Sequence, residues 1–187
     1  MSSHAAKLRG WSIGGFFAIT LLGILYHYLY EWSDKSPLIA PIAPVNESVW
    51  EHLKLGLWAV ISFCVAEYFV LGKAVNIYFF TKAIGVFIIS FTILLIYYTY
   101  TMFLDRTILL LDISSYIVGV LLCQLFCYKV FKLKHSSLLN ILGFILLISF
   151  CVIFAIFTFY PPQLEIFKDH NLNIYGIETT TPDHNKK

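Results

Sequence analysis

Charge is what this sequence has least of. Lysine, arginine, aspartate and glutamate make up 13% of its 187 residues, about half their share in a soluble domain. Hydrophobic residues make up 59% and the mean hydropathy is +0.77, which excludes an ordinary soluble globular protein. Proline is scarce, and none of the six falls inside a long apolar run. Glycines are scattered and no half of the chain repeats another. Unbroken spans without a repeat weigh against a self-contained transporter. The four cysteines (Cys64, Cys123, Cys127 and Cys151) all lie inside apolar runs. Cys123 and Cys127 share a helix face but have no metal-ligand companion, so all four read as small hydrophobes between helices, not as a disulfide framework. Period-2 alternation is missing, which excludes a β-barrel. A net charge of +2 without a basic, aromatic-interleaved patch excludes nucleic acid as a partner.

What is present is five apolar runs of spanning length: Trp11–Tyr30, Leu53–Leu71, Ala83–Phe103, Ile108–Tyr128 and Leu138–Tyr160. About 20 helical residues cross the hydrocarbon core. The fold class is therefore all-α, a polytopic membrane protein with a five-helix transmembrane bundle. Lys7 and Arg9 before the first run resemble the start of a signal peptide. That run is too long, however, and ends in Tyr26, Tyr28, Tyr30 and Trp32, which suit a retained span anchored at the interface.

The loops alternate in charge. One side carries Lys7, Arg9, Lys73, Lys82, Lys129, Lys132 and Lys134; the other carries Glu31, Asp34, Glu47, Glu51, Asp105, Glu165, Asp169, Glu178 and Asp183. The positive-inside rule puts the N-terminus in the cytoplasm and the C-terminus outside. Residues 1–160 form the membrane domain. Residues 161–187 form an extracytoplasmic tail, able to fold back as far as about residue 177 and disordered after it. Between the first two spans, Pro37, Pro41 and Pro44 alternate with apolar residues and predict a stiff, extended, non-helical segment.

The polar groups that remain gather at the outer side. Asn46-Glu47-Ser48-Val49-Trp50-Glu51-His52 packs two carboxylates and an imidazole into seven residues. Part of this is capping chemistry, with Asn46 as N-cap, Glu47 at the positive end of the dipole, and Ser48 with Glu51 as a capping box. Capping needs only one or two polar groups, and the helical spacing puts Glu47 and Glu51 on one face and Ser48 and His52 on the next. Two carboxylates one turn apart repel unless a cation or a shared proton lies between them. The Asn-Glu-Ser triplet is also a glycosylation sequon, coincidental so close to a span. His27 and Glu31 are spaced i, i+4 near the end of the first span. Asp112 lies just inside the fourth span and requires a partner in lipid: His27, or else Arg106 or a tail residue. Glu67, deeper in the cytoplasmic half, is expected to pair with Lys73 or Lys82 by snorkelling.

Two imidazoles with carboxylates form a ligand set for Zn²⁺ or Mn²⁺. In this reading His27, His52 and Asp112 are metal ligands, with Asp112 alternatively orienting His27. Glu47 or Glu51 is a ligand or the general base. Asn46, Trp50 and Glu31 meet the substrate, with Trp50, Trp32 and the tail as rim and lid. The substrate is then a lipid or lipid-linked molecule. The competing expectation is a non-enzymatic accessory or transport-related protein whose acidic turn binds a cation or a partner subunit; a third has these groups only joining helices by hydrogen bonds.

The stretch Pro44–Lys54 resembles the hallmark of a bacterial family of small integral membrane proteins of unknown function. His27 ahead of a Trp/Ser-containing loop, Tyr160-Pro161-Pro162, Phe167, Asp169 and Tyr175-Gly176-Ile177 extend the resemblance over nearly the whole chain. It implies a multi-pass protein of the bacterial cytoplasmic membrane and assigns no catalytic residue.

Overall fold

In a computed structural model, which describes residues 3–72, 75, 77–104, 106–132 and 136–177, the chain is a bundle of five long helices. They are α1 (Ser3–Trp32), α2 (Val49–Glu67), α3 (Tyr78–Leu104), α4 (Leu109–Val130) and α5 (Ser137–Phe159). Each is long and apolar enough to cross a membrane. α1 starts eight residues before its apolar run, because backbone hydrogen bonding carries a helix past the lipid-facing part of its sequence. Lys73, Asp105, Lys134 and the tail from Glu178 fall outside the described residues.

α3 is the central element, packed on α4, α5 and α2, while α1 closes the bundle against α2 and α4. The core is a column of small and branched side chains: Ile19, Leu57, Val60, Val86, Ile89, Val120 and Cys123 are all fully enclosed. Close approach depends on small residues, as expected where helices pack without a hydrophobic drive. A Cβ on Gly143 would strike the backbone of Phe80, so α5 lies on α3 at a point where no side chain fits. The outward faces carry Phe17, Leu21, Phe87, Phe91, Leu121 and Phe144 bare to the surroundings, a coat suited to lipid and not to water.

The structure departs from expectation in the proline segment. It is a run of turns, not an extended strand. Ile39 N–H donates to Ser36 O (3.0 Å) with Pro37 at the second turn position, and Ala43 N–H donates to Ile39 O (3.1 Å). The prolines stand far enough apart to leave these amides free, and the segment buries Ala40 and Ala43 completely.

Beyond α5 the tail makes a 3-10 turn (Glu165–Phe167) and a small antiparallel hairpin, β1 (Lys168–Asp169) and β2 (Ile174–Tyr175). Gly176 follows at φ +63°, where a Cβ would press to 2.8 Å of Thr158 O, so this turn back onto α5 demands glycine. The hairpin lies at the end of the bundle where α1 finishes and α2 begins.

Candidate metal centre

α2 begins one cap later than the sequence predicts. Ser48, not Asn46, is its N-cap, and Ser48 Oγ accepts from Glu51 N–H. Asn46 Oδ1 instead accepts from Ser48 N–H (2.9 Å), and its amide nitrogen donates to Gly176 O (2.8 Å), tying the tail to the helix start. Glu47 therefore lies outside the helix, and its i, i+4 relation to Glu51 is lost. The two carboxylates point to different environments.

Glu51 turns inward. It is buried and forms an ion pair with Lys54, equally buried, while Glu51 Oε2 accepts from Val45 N–H (3.0 Å). Lys54 Nζ also donates to Ala40 O and Ala43 O (2.8 Å each) and to Thr158 Oγ1 (2.9 Å). Glu51 is thus committed to a lock joining the proline turns, α2 and α5.

Glu47 turns the other way and meets the two histidines. His27, Glu47 and His52 bring one potential ligand atom each to within 4.8 Å of one another. Glu47 Oε2 lies 3.3 Å from His52 Nε2, and the His27 and His52 ring centroids are 5.4 Å apart. His52 Nδ1 lies 2.9 Å from Ser48 O, which accepts only, so Nδ1 carries the proton and donates. Nε2 then faces a carboxylate with a lone pair, and that contact requires either a second proton or a cation between them. The hydrogen bond from His52, helped by the neighbouring His27, holds the Glu47 carboxyl below the ordinary range although partial burial opposes this. His27 Nδ1 is buried without a hydrogen-bond partner among the described residues.

These three residues line a cavity of about 300 Å³ between α1, α2, α3, α4 and the hairpin. Asp112 lines it as well, but its partner is Tyr100, whose hydroxyl donates to Asp112 Oδ1 at 2.5 Å. The expected pairing of Asp112 with His27 is not made directly. Lys168, His170 and Asn171 border the cavity from the hairpin. Asp169, between them, points the opposite way: fully buried, it accepts from Glu47 N–H (2.9 Å) and from Asn171 and Leu172 N–H (2.8 and 3.1 Å).

All three substrate-binding candidates lie away from the cavity: Asn46 is buried with its side chain committed to Ser48 and Gly176. Glu31 is exposed and 3.8 Å from Lys35. Trp50 is packed against Phe154, Phe157 and Phe167, where it seats the tail on the bundle. Lys54, Lys168 and Tyr100 are residues that sequence reasoning passed over, and Asp169 entered it only as a tail charge and as part of the family resemblance. Only Lys54 carried a local signal, its i, i+3 spacing from Glu51.

The profile of one protein family matches residues 1–177. The chain belongs to DUF6512, a family of unknown function. No curated protein and no solved structure matches it.

The Asp169 clamp yields a direct expectation. Asp169→Ala removes the acceptor of three backbone amides, one of them that of Glu47. Charge-assisted hydrogen bonds contribute about 1.5–3 kcal/mol each when a partner is lost, so the hairpin should detach before the bundle melts. Hydrogen exchange across residues 165–177 should accelerate strongly while α3 and α4 stay protected. Unchanged protection of the hairpin would show that the clamp does not hold it.

Proposed function

We propose that this chain binds a divalent transition metal, Zn²⁺ or Mn²⁺, through His27, Glu47 and His52, and uses it to hydrolyse a lipid or lipid-linked substrate. The cavity would open at the extracytoplasmic face of a bacterial cytoplasmic membrane, the orientation supported by the loop charges. The observation that carries this reading is the convergence of two imidazoles and one carboxylate at a cavity wall. Two histidines and a glutamate with an open fourth position are the ligand pattern of hydrolytic zinc sites. The Ser48 carbonyl supports it by fixing the His52 tautomer that leaves Nε2 free. Asp112 would serve as general base: one oxygen is engaged by Tyr100 and the other accepts no hydrogen bond from a described residue. Held by His27, Glu47 and His52, the metal would supply an acidified water as nucleophile; Asp112 would take that water's proton and hand it to the leaving oxygen as the ester bond breaks.

The test is the metal content of the full chain, purified in detergent without chelator and offered Zn²⁺ or Mn²⁺, beside His52→Ala. One equivalent in the parent and none in the variant is the expected result. Metal-free parent protein that takes up neither ion would overturn the reading, and metal uptake without hydrolysis of any lipid ester would reduce it to a cation-binding accessory protein. Uptake should fall as pH drops from about 7.5 to about 5.5, because protons compete for the imidazoles. The Glu47 carboxyl responds lower. Its folded value is depressed, so the ionised carboxyl's contribution is complete above about pH 4.3 and is lost on the acid side as pH falls through that lowered value, while the metal-free contact also needs the second His52 proton.

A further inference from the structure

The roof of the same cavity carries a second kind of chemistry, and its reading rests on the metal site beneath it. Lys168 borders the cavity and, among the described residues, has no carboxylate partner. The side chains of Asn171 and Thr107 border it too, and neither makes a hydrogen bond to a described residue. This roof is built, not frayed. Asp169, the residue after Lys168, is fully buried and fastened to the backbone of Glu47, so Lys168 is held above the metal ligands by the same clamp that holds one of them.

We infer that this cavity takes a phosphate group, borne by the headgroup of an anionic lipid, bound between the metal at His27, Glu47 and His52 and the donors Lys168, Asn171 and Thr107. Charge decides the sign of the ligand. A divalent ion offsets Glu47 and Asp112, and Lys168 then leaves the cavity positive. Geometry favours phosphate over a carboxylate. The lining supplies an ammonium, an amide and a hydroxyl besides the metal ligands, more donors than a planar group with two oxygens uses and suited to a tetrahedral group with several terminal oxygens. The lining also includes the apolar Val49, Ile93 and Leu109. Leu109 and its neighbour Leu110 are also more than two-thirds exposed on the lipid-facing side of α4, a path for acyl chains out of the site.

The experiment uses the full chain, loaded with Mn²⁺ and washed, in phosphatidylcholine nanodiscs doped with phosphatidic acid. Bound Mn²⁺ broadens the ³¹P resonance of any phosphate it approaches, which reports binding without turnover. Phosphatidic acid should broaden and phosphatidylcholine should not. Lys168→Ala should keep its Mn²⁺ and weaken the effect about 10- to 100-fold, the loss expected for one charged hydrogen bond, with Lys168→Arg restoring most of it. If Mn²⁺ is retained but phosphatidic acid is not broadened, or Lys168→Ala behaves as the parent, the phosphate assignment falls and the metal site stands. If added inorganic phosphate alone broadens with the same Lys168 dependence, the lipid source is overturned. If His52→Ala and the parent both retain no Mn²⁺, the metal reading and this one fall together.

Discussion

Lys54→Ala is expected to destabilise the bundle by about 3–5 kcal/mol, the cost of stripping one partner from a buried ion pair. Lys54 and Glu51 are both sealed from solvent, and the ammonium also satisfies two carbonyls of the proline turns and the Thr158 hydroxyl. Removing it leaves a buried carboxylate with only Val45 N–H and the more distant Thr158 hydroxyl (3.4 Å), together with two orphaned carbonyls. Reversible unfolding of the purified protein reads the loss. Glu51→Gln/Lys54→Met is the informative companion, since removing both charges avoids the unpaired ion and should recover much of the stability. A Lys54→Ala cost below about 1 kcal/mol, the range of an exposed pair, would mean that water reaches this lock.

A comparable loss is expected at the opposite end of the bundle from Lys82→Ala. Lys82 Nζ lies 2.5 Å from Glu67, both fully buried, and Tyr78 donates a hydrogen bond to the same carboxylate at 2.8 Å. The ammonium lies among the rings of Phe63, Tyr78 and Phe131, with centroids 5.2 to 5.6 Å away. Rings of this kind attract a desolvated cation, so the lysine is held inside the bundle instead of reaching for the interface. Without it Glu67 keeps one hydrogen bond in an apolar setting, at a cost of about 3–5 kcal/mol. Glu67→Leu/Lys82→Met should come close to the parent. The two pairs differ in what they join: Glu51–Lys54 ties loop and tail to α2, whereas Glu67–Lys82 ties α2 to α3. Lys82→Ala should therefore accelerate hydrogen exchange at the α2–α3 contact while leaving the hairpin protected, and uniform acceleration would show that the two locks are not independent.

Glu67 also shows where sequence reasoning reaches its limit. Lys82 is one of the two partners that its position predicts, but the manner of pairing is not snorkelling. Long side chains reach the interface when nothing nearer satisfies them, and here the aromatic box and Tyr78 do. Asp112 is a parallel case. A partner in the bundle is required by the cost of a carboxyl group in lipid, and Tyr100 supplies it from α3 instead of His27.

The five spans were legible because the demand that creates them is local. A backbone in hydrocarbon must satisfy its own hydrogen bonds, so about 20 apolar residues in a row can be little else than a helix. The collection of polar groups at one end was legible for the same reason, since consecutive spans reverse direction and each loop declares its side. Which of those groups meet was not. A shift of the helix start from Asn46 to Ser48 puts Glu47 outside α2 and separates it from Glu51, since each residue turns a helix by about 100°. Asp169 reaches Glu47, and Thr158 reaches Glu51, across more than a hundred residues of chain. Sequence alone determined a five-helix membrane bundle with a polar end. Only the tertiary structure decided that His27, Glu47 and His52 share one cavity while Glu51 belongs to a lock, because those choices are set by contacts between elements and no local pattern encodes them.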